Sequence, residues 1–232
     1  MQAKSKKKID LHWFVASGFT LTELLIVLAI IGVLSAIVLT STRSMMEKAR
    51  QSQCAANLRQ INVAALAWSA ENNGKIVPVF DPGDDNGANK LGLPHWTGLL
   101  APYMGRSSNG GNFTSIREMP GYICPAKSDT FGYGYNYRYL SYRQAGLQNN
   151  GWWATYAGTD TPSKVVMITD VWKPQDTQNW RPFVRVPDGG TDMVVHFRHP
   201  GSTANVLWVD GHVSSEKSDS ALMTDLSLWG KK

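Results

Sequence analysis

The stretch Gly18-Phe19-Thr20-Leu21-Thr22-Glu23-Leu24-Leu25-Ile26-Val27-Leu28-Ala29-Ile30-Ile31-Gly32-Val33-Leu34 decides how this chain is read. The run stays apolar through Leu39, and Glu23 is its single charge. Residues 19–39 are 21 positions, against the roughly 20 that a helix needs to cross the hydrocarbon core of a bilayer. A membrane-spanning helix is therefore predicted over 19–39. A carboxylate within such a helix costs at least about 2.5 kcal/mol at the membrane centre, so it calls for a partner or a task.

Outward toward the N-terminus, Lys4, Lys6, Lys7 and Lys8 against Asp10 give +3 of the chain's formal net charge of +5. Lysines flanking an apolar helix hold their end in the cytoplasm, so residues after 40 are predicted to lie on the far side. The remaining +2 makes no electrostatic case for nucleic acid. The small residues Ala16-Ser17-Gly18 precede the apolar run, whereas a secretory signal places its cleavage site after it. A cut after Gly18 would keep the helix and make Phe19 its first residue.

A basic leader ending in Gly, followed by Phe-Thr-Leu-x-Glu and a long apolar helix, resembles a type IV prepilin or a type II secretion pseudopilin, the major pseudopilins in particular. The resemblance implies that residues 1–18 are a leader removed by a membrane-embedded prepilin peptidase. It implies that the same enzyme methylates Phe19, and that Glu23, the fifth mature residue, pairs with a neighbouring subunit's N-terminal amine during assembly. It also implies a single-pass protein of the bacterial inner membrane with residues 73–232 periplasmic. Its partners would be further copies of itself, the peptidase and an inner-membrane assembly machine. One departure stands out: the 22nd mature position, where many members carry a kinking Pro, is Thr40, within Leu39-Thr40-Ser41-Thr42. Hydroxyl side chains there can bond back to carbonyls and bend a helix slightly.

Outward toward the C-terminus, residues 40–72 are predicted to continue the helix into water. Cys54, Leu58, Ile61, Ala65 and Trp68 recur at spacings of 4, 3, 4 and 3, one apolar stripe at helical period. Asn72-Asn73-Gly74 supplies the stop. The segment 54–61 resembles the same position in a widespread pseudopilin subgroup. Residues 73–163 are loop-rich, with a short helix expected over 96–104 and broken at Pro102. Phe131, Tyr133, Tyr135, Tyr137 and Tyr139 alternate with Gly, Asn and Arg and read as a strand with one aromatic face. Packing in a small core explains that face better than a stacking surface for sugars, since aromatic residues dominate such cores. Strands are expected at 164–169, 183–186, 193–197 and 205–209, the last turning through Asp210-Gly211 into 212–213. Leu222, Leu226 and Trp229 are the apolar contacts of a closing helix or turn over 218–229. The expected fold is α+β and pilin-like: a long N-terminal helix packed on a small antiparallel sheet.

The segment 198–212 is similar to a C-terminal signature of prepilin-like proteins, a His, nine residues, then Asp-Gly. Here ten residues separate His199 from Asp210. His199 and Asp210 would meet across a hairpin loop; in the simpler reading Asp210 begins the turn and His199 hydrogen-bonds within its own loop. His196, His199, Asp210 and His212 match no closed zinc spacing, so no metal or other cofactor is expected. Calcium is the one exception, because major pseudopilins hold it in a late loop and Asp188-Gly189-Gly190-Thr191-Asp192 offers oxygens around a turn. That family's ligands do not map onto these positions residue by residue. Cys54 and Cys124, the only cysteines, form a disulfide if the domain is outside the cytoplasm or remain two buried thiols. There is no nucleophile elbow, phosphate loop, HExxH or CxxC, and no enzyme is expected. Two rivals to a filament subunit remain: an adhesin binding glycans through Trp152, Trp153 and the tyrosine run, and a membrane-anchored enzyme.

Overall fold

A computed structural model describes residues 18–79, 96–105, 121–126, 132–136, 140, 154–172, 183–184 and 194–230. The leader before Gly18, the Asp188–Asp192 stretch, and Phe131, Tyr137, Tyr139, Trp152 and Trp153 lie outside the described residues. Helix α1 runs Leu21–Glu71. It ends where Asn73 (φ 57°) and Gly74 (φ 72°) enter the left-handed region, and the Gly74 N–H closes on the Ser69 carbonyl. Gly and Asn are the residues that take this conformation at low cost. The chain divides into two units, residues 1–44 and 45–232.

In the first unit the apolar side chains of α1 face outward: Leu21 is 80% exposed and Leu28 61%. A helix apolar all round needs lipid or other helices around it. The Ser41 and Thr42 hydroxyls donate back to the carbonyls of Ile37 and Val38, at 3.1 and 2.7 Å.

The second unit is built on the stripe. Cys54, Leu58, Ile61 and Ala65 are fully buried and Trp68 nearly so. Burying a Leu or Ile side chain contributes roughly 1.5–3 kcal/mol, which makes this face the spine of the core. Helix α2 (Trp96–Leu100) and a 3-10 turn at Pro102–Met104 follow. The strands are β1 (Tyr133–Asn136), β2 (Val166–Trp172), β3 (Phe183–Val184), β4 (Val194–Val195), β5 (Thr203–Trp208) and β6 (Val213–Lys217). Their order is β3-β1-β2-β5-β6, with β4 also on β2. β5 pairs with β2 through Val166 to Thr169, and β4 pairs with β2 farther along, at Val171 and Trp172. Two 3-10 turns, Ala221–Met223 and Leu226–Trp229, close the chain and bury Leu222 and Trp229.

The architecture is α+β as expected, but the sheet is mixed rather than antiparallel. β3 runs parallel to β1, with Tyr135 opposite Phe183. The cause is topological. The chain reverses after β2 and returns on the far side of β1, and a strand antiparallel to β2 must there run with β1. The two backbones approach so closely that a Cβ on Gly134 would sit 2.8 Å from the Val184 nitrogen. Only glycine fits at such a contact. β2 also begins later than expected, because Pro162–Lys164 form a 3-10 turn.

Tyr133 and Tyr135 share one face of β1 and turn it inward. Their hydroxyls donate to the carbonyls of Cys54 (3.1 Å) and Val77 (2.6 Å). These tyrosines are core residues, as the packing argument favoured. Burial raises the pKa of both hydroxyls and pushes that of Tyr156 up to about 12. An unfolded tyrosine titrates near about 10, so the folded state keeps protons that the unfolded state loses above that pH. Stability is full below about pH 10 and falls above it, by about 1.4 kcal/mol per pH unit for each such tyrosine. The expected result is cooperative alkaline unfolding, with tyrosinate absorbance rising together with loss of near-ultraviolet dichroism. Tyrosinate appearing near pH 10 in a chain that stays folded would contradict these burials.

Candidate functional site

Two sites carry the chemistry-bearing residues, one in each unit. The first is the start of α1. Gly18, Phe19 and Thr20 precede the helix and are exposed. The Thr20 N–H donates to Glu23 Oε2 at 2.8 Å. In return the Glu23 N–H donates to Thr20 Oγ1 at 3.2 Å, and the Thr20 hydroxyl adds a third bond to Oε2 at 2.8 Å. This is a reciprocal capping box. The Thr-x-x-Glu spacing that announces it is plain in the sequence; the apolar run around Glu23 drew attention to its charge instead. The cap gives Glu23 a task within its own chain and draws its carboxylate back to the N-terminal end of the helix, where it opposes the positive end of the dipole. Both bonds from Thr20 use Oε2.

The second site is a buried polar cluster. Cys54 on α1 and Cys124 in the turn 121–126 form a disulfide, with their Cα atoms 5.1 Å apart. Closing a loop of 70 residues contributes on the order of 4 kcal/mol in the chain-entropy account. His199 begins a tight loop. Its N–H and carbonyl bond with those of Thr203, at 3.0 and 3.3 Å, while Gly201 and Ser202 take φ of 74° and 53°. That closure turns the imidazole inward. Its Nε2 lies 3.0 Å from Asp170 Oδ2, 3.1 Å from Asn205 Nδ2 and 3.7 Å from Cys124 Sγ.

Asp170, on β2, is the hub. Its side chain is wholly buried, and the Arg198 Nε lies 3.9 Å from its Oδ1. Its Oδ2 also accepts the Asn205 backbone N–H at 2.7 Å. The guanidinium donates in addition to the Val171 carbonyl. Buried charge is tolerated only when paired and hydrogen-bonded in this way. Asn205 Nδ2 reaches the Gln51 carbonyl on α1 at 3.3 Å, and Gln51 Nε2 reaches Ser215 Oγ on β6 at 2.8 Å. Asp170, His199 and Asn205 thus join helix, sheet and disulfide.

His199 does not meet Asp210. The Asp210 carboxylate accepts the His212 N–H at 3.1 Å and lies 2.6 Å from His212 Nδ1, which keeps it in its own turn. The simpler reading of the signature holds for Asp210, which starts its own turn, whereas only the backbone of His199 bonds within its loop and its imidazole reaches Asp170 on β2. The His at one end of the signature meets Asp170 on β2, and the Gly at the other end meets α1. A Cβ on Gly211 (φ 92°) would lie 2.5 Å from Asn62 Nδ2 of α1, so β5 is fixed at both ends. Sequence reasoning missed Asp170, His199's actual partner, because nothing in a Thr-Asp-Val run on a buried strand distinguishes it.

Cys124, His199 and Asp170 form no proton relay. Sulfur and carboxylate both approach Nε2, whereas a relay passes a proton across the ring between two nitrogens; the sulfur is moreover bonded to Cys54. Among the described residues, His196, His199, Asp210 and His212 do not come together as a group that could share an ion. Among the described residues, Cys54, Cys124 and His199 are the group of His, Cys, Asp or Glu side chains close enough to share an ion.

Compared with known proteins, the chain matches the family described as Prokaryotic N-terminal methylation motif over residues 14–39. No curated protein and no solved structure matches. The motif supports a type IV pilin-like protein, processed by prepilin peptidase and assembled into filaments. It suggests a structural subunit rather than an enzyme, and with the apolar helix it fits a membrane-anchored, single-pass chain.

Proposed function

We propose that this chain is a structural subunit of a type II secretion pseudopilus or a related type IV pilus. It is cut after Gly18, methylated on Phe19, stored in the inner membrane with its C-terminal domain in the periplasm, and drawn from there into a filament. The observation that carries the reading is the methylation motif over 14–39 on a helix whose apolar side chains from Leu21 to Leu39 face outward. One surface then serves twice. It dissolves in lipid before assembly, and it packs against other copies afterwards, where dispersion and close contact replace the lipid.

Glu23 sets the register. Its Oε2 holds the capping box, and its Oε1 has no partner among the described residues. That oxygen is the acceptor for the amine that cleavage frees on a neighbouring chain. An acid and an ammonium from two chains neutralise each other where neither is stable alone.

Intact mass and N-terminal sequencing of the protein from envelope fractions test this. The expected species begins at N-methylated Phe19 and co-purifies with components of a secretion or pilus machine, whose identity separates the two branches. A chain that begins at Met1 in every fraction overturns the proposal.

A further inference from the structure

We propose that Cys54, Cys124 and His199 form a thiophilic metal site that alternates with the disulfide, taking a zinc(II)-class ion when the two sulfurs are reduced. Their donor atoms all lie within 4.8 Å of one another, and Cys124 Sγ is 3.7 Å from His199 Nε2. With zinc–sulfur bonds of about 2.3 Å and zinc–nitrogen bonds of about 2.0 Å, tetrahedral ligand atoms sit roughly 3.5–3.8 Å apart. The sulfur–nitrogen edge already has that length. The two sulfurs need only separate once their bond is broken. Asp170 Oδ2, 3.0 Å from the same nitrogen, is the fourth donor at hand.

Burial favours the exchange. Cys54 and Cys124 are fully enclosed and His199 is 4% exposed, so an ion is tolerated only if the site stays close to neutral. Two thiolates cancel a divalent cation, and Asp170 brings its own countercharge in Arg198. Softer sulfur and imidazole donors select zinc over calcium or magnesium. The chemistry balances. A phosphine takes one sulfur–sulfur bond and a water to give the phosphine oxide and two thiols. Zinc(II) then displaces one proton from each thiol. The imidazole proton, which Nε2 shares with Asp170 Oδ2 in the disulfide state, moves to Nδ1 and leaves Nε2 free to bind the ion. The metal ties α1 to the 121–126 turn just as the disulfide does, so the same two segments remain joined in either state.

The test uses the full chain in detergent micelles, reduced with a phosphine and desalted without air. Cobalt(II) is the probe. The expected result is one equivalent bound per reduced chain, with a thiolate-to-cobalt charge-transfer band in the near ultraviolet that zinc(II) abolishes. The oxidised chain shows no band, and His199→Gln weakens zinc binding by at least about tenfold. Zinc-loaded chain also re-forms its disulfide more slowly in air. A reduced chain with no charge-transfer band overturns the proposal, as does zinc affinity unchanged in His199→Gln. If that variant does not fold, the wild-type cobalt spectrum decides alone: a band with sulfur ligation but no imidazole signature refutes the three-residue site.

Discussion

Glu23→Ala is expected to be cut between Gly18 and Phe19 like the parent and yet to fall out of sheared filaments by at least about a hundredfold. Cleavage should survive because residues 18–20 precede α1 and are exposed, which leaves the proposed scissile bond in an accessible, non-helical segment. Assembly should fail for two additive reasons. The capping box is lost, at about 1 kcal/mol, and the proposed acceptor for a neighbour's ammonium disappears, leaving that charge stranded among apolar helices at about 3–5 kcal/mol. Glu23→Gln separates the two. Glutamine can hold a capping box as glutamate does but carries no charge, so it should keep the helix start ordered and still assemble as poorly as alanine. The measurements are immunoblots of sheared filament fractions beside intact mass of the membrane-bound pool. Normal filaments from Glu23→Gln would show that the cap, not the charge, is what assembly requires.

What could be read from the amino acids alone followed the range of the interactions. The stripe Cys54, Leu58, Ile61, Ala65 and Trp68 lies within one helix, where each residue is three or four from the next, and all five are buried. The stop at Asn73-Gly74 and the turn at Asp210-Gly211 are equally local, since each depends on what one backbone position tolerates. Strand direction and side-chain partnership depend on contacts far apart in the chain. Nothing near Phe183 says that it will lie beside Tyr135 and run with it. Nothing near His199 says that its acid is Asp170, 29 residues earlier on β2, rather than Asp210 on the adjoining turn. The proximity of His199 to the disulfide likewise follows from sheet order, which brings the start of β5 beside β2 and under α1. At the other end of the chain the opposite held: Thr20 and Glu23 are neighbours, and their spacing spelled out the cap.

Asp170→Ala should strongly destabilise the second unit while leaving its disulfide in place. The carboxylate is wholly buried and meets three groups at once: His199 Nε2, the Asn205 N–H and the Arg198 guanidinium. Alanine removes the only negative charge among them. It leaves an amide N–H of β5 without its acceptor and removes the carboxylate that faces a buried guanidinium. Breaking one partner out of a buried ion pair costs about 3–5 kcal/mol. For a unit of this size each kcal/mol moves the melting point by roughly 2–4 °C, so a fall of about 6–20 °C is expected. Asp170→Asn should fall between the two, because an amide oxygen still accepts from Asn205 while the charge is gone. Near-ultraviolet dichroism of the full chain in detergent, melted under non-reducing conditions, reads both. Asp170→Ala melting within about 2 °C of the parent would mean that water reaches this carboxylate and that the cluster does not hold β5 to the helix. The disulfide cannot mask the loss. It joins α1 to the turn 121–126, whereas Asp170 holds the 198–205 segment against β2, a contact that no covalent link replaces.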